Sequence, residues 1–239
     1  MALEVRGTRV KGGSVREEPS AHQKPGNPRL LLRGCRLYLV TPVVDGLDAF
    51  LGAVLEGGVD IVQLRDKRLE ARELLAAAAV VRRRTSEAGA LFVVNDRVDL
   101  AIAAGADGVH LGQADLPVRV ARAQLGPEPL IGLSTHRFEE WGDADPEADY
   151  LGVGPVFATP TKPGRPAVGL ELVNRAAGAV RRPWFAIGGI DQANIAQVVD
   201  AGATRVAVVR ALTDAPDPSG AAAGLLRALR TGRSGSMDQ

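Results

Sequence analysis

The chain has 239 residues, 46% of them hydrophobic and only 4% aromatic, which is apolar material for one large domain or two small ones. A formal net charge of +1 excludes a general attraction to nucleic acid or to anionic membranes. No apolar run approaches the roughly 20 residues needed to cross a bilayer, and the single cysteine, Cys35, cannot form an internal disulfide, which fits a reducing cytoplasm.

In chain order, residues 1–33 come first. "MALEVRGTRVKGGSVREEPSAHQKPGNP" carries charges but no apolar h-region, so it does not read as a secretory signal. Its Gly, Pro, Ser and charge content predicts a disordered extension up to about Arg33, and residues 232–239 read as a disordered tail. The folded unit is expected over 34–231. Within it, short Val/Ile/Leu runs alternate with Ala-rich helical stretches. "RLYLVT" (36–41) precedes a helix near 47–57, and "VDIVQL" (59–64) precedes "EARELLAAAAVVRRRTSEAG", a run of helix formers with a Gly stop. "LFVV" (91–94), "GVHL" (108–111), "LIGL" (130–133), "YLGVG" (150–154), "WFAIG" (184–188) and "RVAVV" (205–209) come next, each trailed by a helical segment. Most runs are apolar on both faces, as strands of a helix-covered parallel sheet should be. "GGVD", "GADG" and "GATR" look like repeated αβ turns with Gly at the helix end.

Eight strand–helix units in about 200 residues predict a (β/α)8 TIM barrel, an α/β fold, near its lower size limit. The alternative, an open dinucleotide-binding sheet, should carry G-x-G-x-x-G in its first βα turn. The only approach to that motif, "GVGPVF", comes late and ends in Phe157.

A barrel builds its active site at the carboxyl ends of its strands, so the residues just after each apolar run matter most. "QLRDK" ends the second run. Strand alternation puts Gln63, Arg65 and, if the extended geometry persists, Lys67 on one face, and a covered parallel strand has no solvent face to explain them. "NDR" comes after the third run and "HLGQAD" at the end of the fourth. Asp96 and Asp115 could each be a helix N-cap. Together they are two carboxylates on adjacent strand ends, and magnesium is typically held by one or two carboxylates plus substrate phosphate oxygens. No His/Cys cluster suggests zinc: His110 and His136 are separated by a βα unit, and His22 lies in the extension.

Ser134, in "STH" after the fifth run, is a cap or a phosphate ligand. After the sixth comes "GPVFATPTKPGRP", a proline-stiffened loop bearing Thr159, Thr161, Lys162 and Arg165; a plain connector is its bland reading. Gly188 and Gly189 after the seventh run let backbone N–H groups approach an anion closely, in the loop region where barrels often bind phosphate. The mouth thus carries two anion sites, which points to two phosphorylated substrates meeting over magnesium.

"VQLRDK", "VNDRVDLAIAAGADGVHLGQADLP", "GLSTH", "GPVFATPTKPG" and "AIGGI" resemble the thiamine-phosphate synthases, in order and in spacing, from about Leu37 to Leu212. The most specific pieces are "HLGQAD" and "TPTK". The resemblance implies a cytoplasmic, magnesium-dependent transferase of thiamine biosynthesis. Such an enzyme joins 4-amino-2-methyl-5-pyrimidinylmethyl diphosphate to a thiazole phosphate and releases diphosphate. It implies that Gln63, Arg65, Lys67 and Asn95 hold the pyrimidine diphosphate and that Asp96 and Asp115 bind Mg2+. Ser134 and Lys162 also serve the diphosphate, with Lys162, Arg65 and Ser134 in the catalytic role. Thr159 and Thr161 line the thiazole phosphate site, and Gly189 with the backbone around Val209 and Arg210 takes that phosphate. Many relatives have Ser where Arg210 stands, so a backbone N–H contact is the expectation there. Partners are the two small molecules, with no nucleic acid or membrane, and a homodimer is implied. Two alternatives stand beside this. A related thiazole tautomerase would use His136 for proton transfer, yet has no diphosphate to engage Asp115 or residues 159–162. A regulatory barrel would bind thiazole or thiamine phosphate without turnover.

Overall fold

A computed structural model describes residues 26–142, 144–159 and 167–231. Its elements begin with α1 (Pro28–Gly34), β1 (Leu37–Thr41), α2 (Leu47–Glu56), β2 (Ile61–Leu64), α3 (Ala71–Ala88) and β3 (Leu91–Asn95). They continue with α4 (Val98–Ala103), β4 (Gly108–Leu111), α5 (Val118–Leu125), β5 (Leu130–Thr135), α6 (Glu139–Gly142) and β6 (Tyr150–Val153). The last are α7 (Gly169–Ala179), β7 (Trp184–Ile187), α8 (Ile195–Asp200), β8 (Val206–Val208), α9 (Arg210–Thr213) and α10 (Pro218–Thr231). The eight strands pair in sequence order, all parallel, and β8 returns to β1 to close the barrel. Closure leaves no unpaired sheet edge.

Strand alternation divides the apolar residues into two bodies. One set, such as Leu39, Val62, Phe92, Ile131 and Val206, faces the helices and forms the large core between sheet and helix ring. The other set, Tyr38, Val40, Ile61, Leu91, Val93, Leu130, Tyr150, Phe185 and Ala207, fills the barrel interior. Phe185 meets both tyrosines edge-on, with ring centroids 5.3 Å from Tyr38 and 5.8 Å from Tyr150. Three aromatic rings in so narrow a barrel form a solid floor under the carboxyl ends of the strands.

The glycine turns share one geometry. Gly58, Gly105 and Gly202 have φ of 97°, 58° and 102°. After each, the next N–H reaches back five residues, as from Val59 to Val54, Ala106 to Ala101 and Ala203 to Val198. These are Schellman closures, in which left-handed glycine satisfies the last carbonyls of a helix and turns the chain into a strand. At the amino ends of the strands a second device repeats. Asp60, Asp107 and Asp149 each accept backbone N–H groups where a neighbouring strand starts: Leu37, Phe92 and Ile131 respectively. Buried Arg82 and half-buried Arg122 neutralise Asp107 and Asp149. This end of the barrel is fixed by structure and leaves the other end for chemistry.

The folded part starts earlier than the expected boundary at 34. Residues 28–33 form most of α1, because Asn27 caps the helix by accepting from the Arg29 N–H and Pro28 sits in the first turn. Leu32 is buried with the barrel-interior set, and Arg29 pairs with Asp149 at 2.6 Å, so α1 covers the amino end of the barrel. Among the described residues no helix is long and apolar enough to cross a membrane.

Candidate active site

A cavity of about 570 Å3 opens at the carboxyl ends of the strands. It receives Gln63, Arg65 and Lys67 from β2 and its loop, Asn95 and Asp96 from the end of β3, and Asp115 from the loop after β4. Ser134, Thr159, Gly188, Gly189, Val209 and Arg210 border it too. Every described residue expected in the site therefore meets in one volume. Thr161, Lys162 and Arg165 lie outside the described residues.

Gln63, Arg65 and Lys67 all reach the cavity, while the intervening Asp66 turns away and is buried. Asp66 accepts from the backbone N–H groups of Val43 and Arg68 and from the Arg68 guanidinium. The Arg68 bonds hold its carboxyl below the usual carboxylate range, against the upward push of burial. Asp66 thereby ties the loop after β1 to the turn carrying Arg65 and Lys67, a role not anticipated from the sequence.

Neither Asp96 nor Asp115 is a helix cap. The residue at the start of α4 is Arg97 and at the start of α5 is Pro117. Asp96 has φ of 59°, a left-handed conformation unusual for a residue with a side chain, held by its N–H bond to the His110 carbonyl. Its Oδ2 lies 2.8 Å from Lys67 Nζ. Asp115 Oδ2 accepts from the Gly112 N–H at 2.6 Å, closing the turn after β4. Among the described residues, the Oδ1 atoms of both carboxylates make no protein hydrogen bond. Nor do the described residues hold a cluster of three or more His, Cys, Asp or Glu able to cage a metal. Two hard carboxylates, each with one oxygen uncommitted, fit an ion completed by substrate phosphates and water.

At the opposite side, Gly188 and Gly189 have φ of 110° and 65°. A Cβ on Gly188 would meet Pro155 at 2.5 Å, and one on Gly189 would meet Phe157 at 2.8 Å, so only glycine lets the β7 loop pack against the segment after β6. The Asn194 side chain fixes this loop by donating to the Gly189 carbonyl. Arg210 opens α9 at the cavity rim and is exposed.

The cavity floor joins Gln63 and Ser134 to polar groups that the sequence did not mark for the site, Tyr38, Tyr150 and His110. Gln63 Nε2 donates to Tyr38 Oη at 2.6 Å, and the Tyr38 and Tyr150 hydroxyls are 2.9 Å apart. His110 Nδ1 lies 3.3 Å from Tyr150 Oη, and its Nε2 lies 2.9 Å from Ser134 Oγ. Burial pushes the ionisation of both phenols up, so they stay protonated across the ordinary pH range. Gln113 Nε2 donates to the Ser134 carbonyl, steadying the end of β5. His136 Nδ1 lies 2.5 Å from the Gly154 carbonyl, so this nitrogen carries the proton and the imidazole braces the bend after β6.

Comparison with known proteins gives a consistent result. The sequence profile described as thiamine monophosphate synthase matches residues 37–212. The chain is 57% identical over 207 residues to the thiamine-phosphate synthase of Thermobifida fusca (strain YX), covering 84% of this chain and 95% of that protein. It is 52% identical over 208 residues to that of Gloeobacter violaceus (strain ATCC 29082 / PCC 7421), covering 87% of this chain but 61% of the longer relative. Among solved structures, thiamine phosphate pyrophosphorylase from Pyrococcus furiosus superposes with a TM-score of 0.76 at 35% identity, covering 84% of this chain and 98% of that one.

Proposed function

Given that the chain belongs to the thiamine monophosphate synthase family, we propose that it condenses a pyrimidinylmethyl diphosphate with a thiazole phosphate, giving thiamine phosphate and diphosphate. The observation that carries this reading is the convergence of Arg65, Lys67, two carboxylates and Ser134 on one side of a single cavity, with the Gly188–Gly189 turn on another. One side suits a diphosphate with its counter-ion, and the other suits a monophosphate.

The chemistry asks little covalent work of the protein. An aminopyrimidine delocalises positive charge at its methylene carbon, so the C–O bond to diphosphate breaks first and the thiazole nitrogen then attacks that carbon. The task is to stabilise charge gathering on the departing diphosphate, which preorganised donors and cations do well in a water-poor site. Arg65 and Lys67 supply cations at the mouth, and the Ser134 hydroxyl supplies a donor deeper in. Lys162 and Thr161, from the loop after β6, are assigned by motif to the diphosphate and thiazole phosphate respectively, with Thr159 beside them. Gln63 and Asn95 orient the pyrimidine. Gly189 and the backbone at Val209 and Arg210 receive the thiazole phosphate, and the exposed Arg210 side chain adds a cation there. Asp96 and Asp115 would hold Mg2+, which when bound supplies Lewis acidity to the leaving oxygens. Holding both substrates in line supplies the entropic share of the acceleration. In the same reading the enzyme works in the cytoplasm as a homodimer, without nucleic acid or membrane partners.

The test separates this reaction from a tautomerase and from a sensor. Each substrate is incubated alone and then with its partner, and diphosphate release is monitored. Release only when both are present supports the transfer. Thiazole tautomer interconversion without release, or tight binding of thiazole phosphate without any release, would replace it.

A further inference from the structure

We propose that the hydrogen-bonded chain Gln63–Tyr38–Tyr150–His110 aims the Ser134 hydroxyl hydrogen into the cavity, which makes Tyr150 and Tyr38 positioning residues for diphosphate departure. This rests on the reading of Ser134 as a diphosphate contact.

Counting hydrogens sets the direction. Gln63 Nε2 donates to Tyr38 Oη, and among the described residues the Tyr38 hydrogen then has only Tyr150 Oη as an acceptor. Tyr150, now an acceptor, gives its own hydrogen to His110 Nδ1. With Nδ1 accepting, the imidazole carries its proton on Nε2 and donates to Ser134 Oγ. Ser134 Oγ makes no other hydrogen bond among the described residues, so its hydrogen is available to an acceptor in the cavity that it borders. The reverse order would need the Gln63 amide turned, with its oxygen toward Tyr38.

Direction decides the sign of an interaction. Diphosphate oxygens only accept hydrogen bonds. A Ser134 that accepts from His110 presents a hydrogen to them, whereas a Ser134 that donates to His110 presents lone pairs. The phenols stay protonated, so the order persists as charge builds in the site. The chain also has space made for it. A Cβ at Gly132 would fall 2.1 Å from Tyr150 Cζ and 2.5 Å from His110 Nδ1, and one at Gly152 would fall 3.3 Å from His110 Cε1. Two inward positions on β5 and β6 therefore lack side chains where His110 and Tyr150 must meet.

The test uses the full-length protein. Nitrogen-15 NMR of labelled histidine reads the His110 tautomer directly, with a His110→Gln variant for assignment. The expected state is Nε2–H in wild type, shifting toward Nδ1–H in Tyr150→Phe. In steady state, Tyr150→Phe lowers kcat about tenfold with KM for the pyrimidine diphosphate within about twofold. Tyr38→Phe costs less, about two- to threefold, because Tyr150 can still donate to His110 without it. In a Ser134→Ala background, Tyr150→Phe changes kcat by less than about twofold, since the hydroxyl it aims is gone. An Nδ1–H tautomer in wild type, or full additivity of the Tyr150 and Ser134 effects, would overturn the proposal. The tautomer is read without turnover, so a wrong direction is distinguished from a wrong reaction.

Discussion

Lys67 Nζ lies 2.8 Å from Asp96 Oδ2, joining the loop after β2 to the loop after β3 at the mouth of the cavity. The carboxylate so engaged is one of the two proposed for magnesium, and the ammonium is one of the cations proposed for the diphosphate. Lys67 is more than half exposed, so the pair itself adds little stability. Its consequence is electrostatic: before substrate arrives, each group screens the other's charge.

Magnesium dependence should arise from the two carboxylates. Asp115→Asn removes one anionic ligand and raises the magnesium concentration for half-maximal rate by about tenfold. A magnesium titration of the variant checks this, and a curve superimposable on wild type would remove Asp115 from the metal site.

The loop after β6 makes a separate prediction. A charge-assisted hydrogen bond to the leaving diphosphate is worth roughly 1.5–3 kcal/mol. Lys162→Ala should therefore lower kcat by at least about tenfold. An unchanged kcat would take Lys162 out of the mechanism.

Gly132 is a packing prediction. Alanine there would press on the buried Tyr150 ring and on His110. Gly132→Ala is expected to cost about 1–3 kcal/mol, read as a lower urea midpoint, together with loss of activity. Wild-type stability and rate in this variant would show that the floor is looser than the contacts require.

Asp66 gives a pH signature. Its folded-state carboxyl is held down, chiefly by the hydrogen bonds from Arg68, so its contribution is present above the ordinary carboxylate range. The contribution is lost as pH falls through the lowered folded value. Asp66→Ala should thus be less stable than wild type by about 1–3 kcal/mol near neutrality, with the difference shrinking in acid. Chemical denaturation at several pH values measures it, and a gap independent of pH would assign the loss to packing alone.

The barrel was legible because covered parallel strands read as apolar runs between glycine turns, and each run fell within two residues of a strand. The β2 site residues were legible for a related reason: Gln63 and Arg65 break an apolar pattern with a period of two. Asp66 directly follows Arg65, and the same alternation turned it to the other side, where its use depends on Val43 from a different loop. The floor network was not legible. Tyr38, His110 and Tyr150 stand in runs apolar on both faces, where nothing local marks the inward side. Their contacts also need Gly132 and Gly152, which alone read as ordinary small residues. At the amino end, "PGNP" concealed a helix start, because Asn27 and Pro28 serve as cap and first turn as readily as they mark a loose segment.

The central claim is tested most directly by mixing purified protein with the pyrimidine diphosphate and the thiazole phosphate, with and without magnesium, and quantifying thiamine phosphate by its fluorescence after oxidation. The expected result is thiamine phosphate in magnesium-dependent, one-to-one yield with diphosphate. Absence of product under conditions in which the Thermobifida fusca relative forms it would contradict the account.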